Sequence, residues 1–249
     1  MKTVTVITPT IGKPELVDAI KSVQNQTYKT KHLIVVDGPQ YDVIVAAIFG
    51  ANFSINEIMS LGLSITPENT GANGFNGQRI YASYPHLINS DYIAFLDEDN
   101  WYEPDHIQSL VEVMEANRTL DFAYSLRKIH NKTGEYQCND DCESLGHWAI
   151  FDCHLGRKPH YYLIDTSCYF FRREFLIRYC HLWHSGPWGE DRRFLGYMNT
   201  IKANYATNGK YTLCYRLEGN PGSVTKEFFE QGNNIQQNHY EGGFPWRSV

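Results

Sequence analysis

Residues 1–100 repeat one rhythm: a short β-branched or apolar run, a polar turn, then a segment with helical spacing. That rhythm constrains the fold more than anything else in the chain. Strands joined through helices lie parallel, and a parallel sheet needs helices on both faces. Thr3 to Thr8 is the first run, followed by His32 to Val36, Leu61 to Ile65 and Tyr92 to Leu96. Pro14 suits the first turn of a helix that puts Leu16, Val17, Ile20 and Val23 on one face. Asp42 to Phe49 and a stretch from about Phe75 to Tyr84 read as two further helices. Glu103-Pro104 starts another, with Ile107, Leu110, Val111 and Met114 on one side. The expected fold class is α/β, a mostly parallel central sheet flanked by helices.

Ligands of such sheets bind beyond the carboxyl ends of the strands. Three polar clusters fall there: Pro9-Thr10, Asp37, and Asp97-Glu98-Asp99. Carboxylates at positions i and i+2 leave an extended chain on the same side. A hard divalent cation held between them and a diphosphate would neutralise charge on a departing nucleotide. The bland alternative is a solvated acidic loop, and the apolar strand Tyr92-Ile93-Ala94-Phe95-Leu96 directly before it favours the site. A calcium loop of the EF-hand type is disfavoured, because its sixth position, which requires Gly, would be Tyr102. The run Gly71-x-x-Gly74-x-x-Gly77 follows the third strand with the wrong spacing for a dinucleotide fingerprint, so a flexible loop is the simpler account.

After Asp121 the rhythm changes. Asn131-Lys132-Thr133-Gly134 looks like a turn between short strands, and 136–159 reads as a long loop. Thr166 to Phe171 resembles a strand, Arg173 to Tyr179 and Glu190 to Met198 helices, and Lys210 to Tyr215 a late strand. From Arg216 onward, glycines and a proline suggest an irregular tail covering the site. A net charge of -6 excludes general nucleic-acid binding, which needs a basic face. No apolar run is long enough for a transmembrane helix, and the opening residues turn polar too soon for a secretory signal. The six cysteines are then expected as free thiols in a cytoplasmic protein. Cys138, Cys142 and Cys153, with His147, His154 and His160, could bind zinc, but their spacing matches no tight pair-of-pairs pattern.

Taken in order, Pro9-Thr10, Asp37-Gly38, the glycine and asparagine segment before a helix bearing Arg79, Phe95-Leu96-Asp97-Glu98-Asp99-Asn100 and Glu190-Asp191 resemble the GT-A glycosyltransferases of family 2. The likeness runs over roughly residues 1–215, divided into a nucleotide-sugar half (1–100) and an acceptor half (101–215), with 216–249 as the tail. It implies transfer of a sugar from a UDP-, GDP- or dTDP-sugar to the hydroxyl of a glycan, lipid-linked or protein acceptor, with inversion and with Mn2+ or Mg2+. By the same resemblance Asp99 is the principal metal ligand, and Asp97 binds the ribose or shares the metal. Thr8, Pro9 and Thr10 border the base and ribose, and Asp37 accepts a hydrogen bond from one of them. The family often carries two consecutive acids there, where this chain has Asp37-Gly38. Arg79 faces the diphosphate or donor sugar, or is a surface arginine.

The resemblance makes Asp191 the general base, with Glu190 as fallback; position alone would make Asp191 a first-turn helix acid. Arg192 and Arg193 either steady the diphosphate or pair with those acids. Asp140, Asp141 and Glu143 are candidate acceptor-side contacts, and His239 a late candidate for the metal. A sugar-nucleotide pyrophosphorylase is disfavoured, since Pro9-Thr10-Ile11-Gly12-Lys13 supplies one glycine where that class has a glycine-rich loop. A binding module without turnover is the non-enzymatic alternative.

Overall fold

The structure is a computed structural model that describes residues 1–150, 162–187, 189–217 and 224–247. Its first half follows the βα rhythm. Strand β1 (Val4–Thr10) is buried along its whole length, as expected for a strand with helices on both faces. It pairs in parallel with β2 (Lys31–Val36) on one side and β4 (Tyr92–Phe95) on the other. Strand β3 (Gly62–Ile65) extends the parallel set beyond β2. Helix α1 (Leu16–Gln24) buries Leu16, Ala19, Ile20 and Val23, while Val17, expected on the same face, is half-buried. Helix α2 (Asp42–Asn52) adds Val45 and Phe49 to a cluster with Leu16, Ile20, Ile34 and Val36. A short helix, α3 (Ile55–Ser60), is closed by a capping box between Ser54 and Glu57. Helix α4 (Gln78–Ser83) follows the glycine segment.

Beyond β4 the sheet becomes mixed. After β5 (Trp101–Tyr102) and helix α5 (His106–Ala116), strand β6 (Phe122–His130) turns at 131–134 into antiparallel β7 (Tyr136–Asn139). Strand β8 (Tyr169–Arg172) lies between β4 and β6, antiparallel to both. Helices α6 (Arg173–Tyr179) and α7 (Glu190–Thr200) follow. The last strand, β9 (Tyr205–Arg216), runs parallel to β6 and pairs antiparallel with β5. The sheet order among the described residues is β3-β2-β1-β4-β8-β6-β9-β5, with β7 on β6. The parallel expectation therefore holds for β1 to β4 and gives way where hairpin signals replace the helical crossovers.

The C-terminal segment differs from the irregular tail read in the sequence. Thr225 caps helix α8 (Lys226–His239) through a bond from the Phe228 N–H to its hydroxyl. Its buried side is Phe229, Gly232 and Gln236, so two of the three inward positions are not apolar and the stripe is hard to see. Phe229 packs with Ile129, Cys142 and Leu217. Gln236 donates to the Trp148 carbonyl at 2.7 Å and accepts from the Ile150 N–H at 3.0 Å. Further on, Trp246 is fully buried and donates to the Tyr211 hydroxyl at 2.8 Å. Gly209, at φ +67°, allows that contact, because a Cβ there would stand 2.6 Å from the Trp246 carbonyl oxygen. No helix among the described residues is long and apolar enough to cross a membrane.

Candidate functional site

The acidic triplet leaves β4 at the carboxyl end of the parallel strands, and its three side chains separate by role. Glu98 is buried and faces back toward β1. It accepts from the Thr10 hydroxyl at 2.5 Å, the Lys13 N–H at 3.0 Å and the Ile11 N–H at 3.3 Å. It therefore ties the turn after β1 to the end of β4. Asp97 and Asp99 are half-buried. Asp97 accepts from the Tyr81 hydroxyl of α4 at 2.7 Å and from the Ser167 hydroxyl at 3.3 Å. Asp99 pairs with Lys13 at 2.9 Å, and its carbonyl accepts from Arg216 Nε at 3.1 Å.

Burial, then the charge on Asp99, then that on Asp165, push the Asp97 carboxyl up to about 7. For Lys13, the lowering effect of burial is outweighed by Asp99 and the rest of the triplet, so its pKa is raised. A second cation would relieve this crowding of negative charge. The donor set suits Mn2+ or Mg2+, since both side chains offer hard oxygen ligands. Among the described residues no trio of His, Cys, Asp and Glu could hold a metal by itself. Two carboxylates completed by phosphate oxygens is the arrangement that fits such a place. Cys153, His154 and His160 lie outside the described residues.

Around the ends of β1 and β2, hydroxyls and carboxylates organise the protein itself. Thr8 is fully buried with its hydroxyl 2.8 Å from His32 Nε2, and the Thr10 hydroxyl is held by Glu98 and the Gly12 N–H. Asp37 accepts from the Thr70 N–H at 2.6 Å, the Thr70 hydroxyl at 2.7 Å and the Gly71 N–H at 2.8 Å, so it anchors the loop before α4. Pro9 meets the start of α4: a Cβ on Gly77, at φ +76°, would fall 2.8 Å from the Pro9 Cβ. Glycine is needed there for both the space and the backbone angle. Arg79 on α4 stacks over Phe75 at 3.9 Å and directs Nε to His184 Nδ1 at 3.4 Å. The glycine loop thus reaches the segment that leads into α7.

That helix separates the two candidate bases. Glu190 is fully buried, accepts from the Ser185 hydroxyl at 2.8 Å and pairs with Arg193, whose Nε lies 2.9 Å away. Asp191 is half-buried and takes the N–H of Arg192 at 2.7 Å on Oδ1. Burial and then the charge on Asp165 push Asp191 up to about 6, against the Arg192 N–H and the charges of Arg192 and Arg127. A carboxyl poised there is a stronger base than an exposed aspartate. Asp165 also raises Asp97, and Ser167, which touches Asp97, donates its N–H to Asp165 at 2.9 Å. The turn at 165–167 therefore touches Asp97 through Ser167, and the charge on Asp165 bears on both Asp97 and Asp191.

Behind that turn lies a cluster that sequence reasoning missed. Arg127, on β6, is buried and has a carboxylate on each guanidinium nitrogen: Asp140 on Nε at 2.7 Å, Asp165 on Nη1 at 2.6 Å, and Glu143 on Nη2. Asp140 is thus an internal group, and Asp141 binds the Tyr211 hydroxyl and pairs with Arg247 at 3.1 Å. Removing one member of a buried ionic cluster leaves the others uncompensated. Arg127→Leu is expected to lower the unfolding free energy by about 3–5 kcal/mol, read from the urea midpoint at constant slope. A change below about 1 kcal/mol would mean that water already shares these charges.

A mixed sheet thus carries an acidic pair beyond the end of β4, with a half-buried aspartate, Asp191, in the first turn of α7. The model of the glycosyl transferase family 2 matches residues 5–179, and the chain belongs to that family. An uncharacterized protein of Haemophilus influenzae is 34% identical over a match covering 33% of this chain and 67% of that one. Among solved structures, TarS 1–349 of S. aureus aligns over 95% of this chain and 64% of its own, with TM-score 0.58 and 12% identity. This chain therefore spans just under two thirds of that structure. The same protein in complex with UDP aligns at TM-score 0.59 and 13% identity, and with UDP-GlcNAc at 0.57 and 12%. At that identity the likeness shows the fold.

Proposed function

We propose that this chain transfers a sugar from a nucleoside-diphosphate sugar, with a UDP-sugar the first candidate, to an acceptor hydroxyl, with inversion. The observation that carries this reading is the acidic pair at the end of β4, with Asp97 held by Tyr81 and Ser167 and Asp99 paired with Lys13. Asp97 and Asp99 would hold Mn2+ or Mg2+ against the donor diphosphate. A bound cation supplies neutralisation of the charge that develops on the departing nucleotide. Tyr81 and Ser167 orient Asp97, while Lys13 balances Asp99. Asp191 takes the proton of the acceptor hydroxyl as that oxygen attacks the anomeric carbon from the side opposite the leaving group. The bond to the nucleotide breaks as the new glycosidic bond forms. Arg79, stacked on Phe75 of the glycine loop, would meet the diphosphate or the donor sugar. UDP and UDP-GlcNAc are found in complexes of the S. aureus neighbour, which favours the uridine nucleotide as the first to test.

A thermal-unfolding screen with UDP, GDP and dTDP, each with and without manganese, tests the donor site. Ligand at about 100 times its Kd adds about 2.7 kcal/mol to the folded state. Stabilisation by one nucleotide that depends on manganese is the expected result. Failure of all three in manganese would remove the donor reading.

A further inference from the structure

Among the described residues Glu143 is the acid of the buried cluster that pairs with α7, through Arg192. Its turn is built by Asp140, whose carboxylate accepts the N–H groups of Cys142, Glu143 and Ser144 at 3.0, 2.8 and 2.9 Å. The turn is also held from outside: the Asp141 N–H donates to Asn233 of α8 at 2.9 Å, and Phe229 of α8 lies 5.5 Å from the Arg127 guanidinium. Glu143 therefore sits on a fixed backbone. One of its oxygens meets Arg127, and the other accepts from Arg192 Nη2 at 2.6 Å. Arg192 is the residue whose N–H binds Asp191. We propose that Glu143 is a positioning residue for Asp191, bridging Arg127 and Arg192 so that the geometry and charge around the base are set together.

This inference rests on the reading of Asp191 as the base. The charges that bear on Asp191 are those of Asp165 ahead of β8, Arg127 on β6 and Arg192 on α7, and the charge of Asp191 bears in turn on Tyr169 of β8 and Glu143 of the turn. Two guanidiniums thus stand among four carboxylates, counting Asp140. Burial, with the charges on Asp140 and Asp191, pushes Glu143 up to about 7 against its two arginines. The charge on Asp191 is one of the causes that raise Glu143, so the two carboxyls are electrostatically linked. The bridge keeps Arg192 from neutralising Asp191 outright, which would make it a weaker base.

Two variants pull the base in opposite directions. Glu143→Gln loosens the hold on the Arg192 guanidinium, whose charge favours ionised Asp191, and is expected to lower the Asp191 midpoint by about 0.5–1 pH unit; Arg192→Gln removes that positive charge and is expected to raise it by a similar amount. Carboxyl-carbon NMR titration of the whole chain reads both, with the Asp191 resonance assigned by its loss in Asp191→Asn. This measurement does not depend on turnover, so it separates the bridge from the base reading. On whichever sugar nucleotide the wild-type chain hydrolyses, kcat of Glu143→Gln is expected to fall on the order of 10-fold with donor KM unchanged. A general loss of structure would not move the midpoints in opposite senses. An Asp191 midpoint that stays at the wild-type value in folded Glu143→Gln overturns the inference. Should that variant not fold, an unmoved midpoint in Arg192→Gln does so instead. If the midpoints move as expected while Asp191→Asn retains full activity, the bridge stands and the base assignment falls.

Discussion

Asp191→Asn is expected to reduce sugar transfer by about 10²–10⁴-fold while leaving nucleotide binding in manganese unchanged. The amide keeps the shape of the side chain and can still accept the Arg192 N–H, so the helix start should survive. What it loses is the capacity to take a proton from the acceptor. The wild-type pH profile follows from the same group. Asp191 is pushed up to about 6 by burial and then by Asp165. A base works only when ionised, so kcat/KM should rise with pH through about 6 and level above it. In Asp191→Asn that acidic limb should vanish together with most of the rate. Glu190→Gln gives the contrast. Glu190 is fully buried and engaged with Ser185 and Arg193, so its loss should lower stability more than it changes the shape of the pH profile. An Asp191→Asn enzyme within a few-fold of wild type would shift the search to another base.

How much of this was legible in the sequence depends on how far apart the partners lie. Asp97 and Asp99 could be placed because strand, turn and carboxylates are contiguous, and alternation fixes their side. The groups that contact them are distant in the chain: Tyr81 is 16 residues from Asp97, Ser167 is 70 residues away, and Lys13 is 86 from Asp99. Lys13 could have been suspected, since it follows the first strand at the same edge of the sheet. The Arg127 cluster had no local signal, because its three carboxylates come from two separate segments and a buried arginine looks like any other in sequence. Asp37 was visible as a strand-end acid, yet in the fold its oxygens are bound to the loop at Thr70 and Gly71. The tail was misread for a different reason. Gly232 and Gln236 occupy inward positions of α8, so the helix rests on a small residue and on amide hydrogen bonds in place of an apolar stripe.

Asp99→Ala is expected to abolish the manganese-dependent part of nucleotide stabilisation and to cut transfer by about 10²–10³-fold, the range for losing one electrostatic stabiliser of a developing anion. The direction follows from the crowding at the end of β4. Asp99 is one source of the repulsion that raises Asp97, behind burial itself. Without Asp99, Asp97 should ionise more easily, and the negative charge that repels a nucleotide from the end of β4 is reduced. The variant could therefore bind nucleotide without metal about as well as wild type, or better, while gaining nothing from manganese. Asp97→Asn separates the two acids. It keeps an acceptor for Tyr81 and Ser167 and removes only the charge, so a weakened response to manganese would assign Asp97 to the metal. An intact manganese response with lower nucleotide affinity would assign it to the ribose. If both variants keep the full manganese response, the cation is held elsewhere, and the acidic triplet serves chiefly to join β1 to β4 through Glu98.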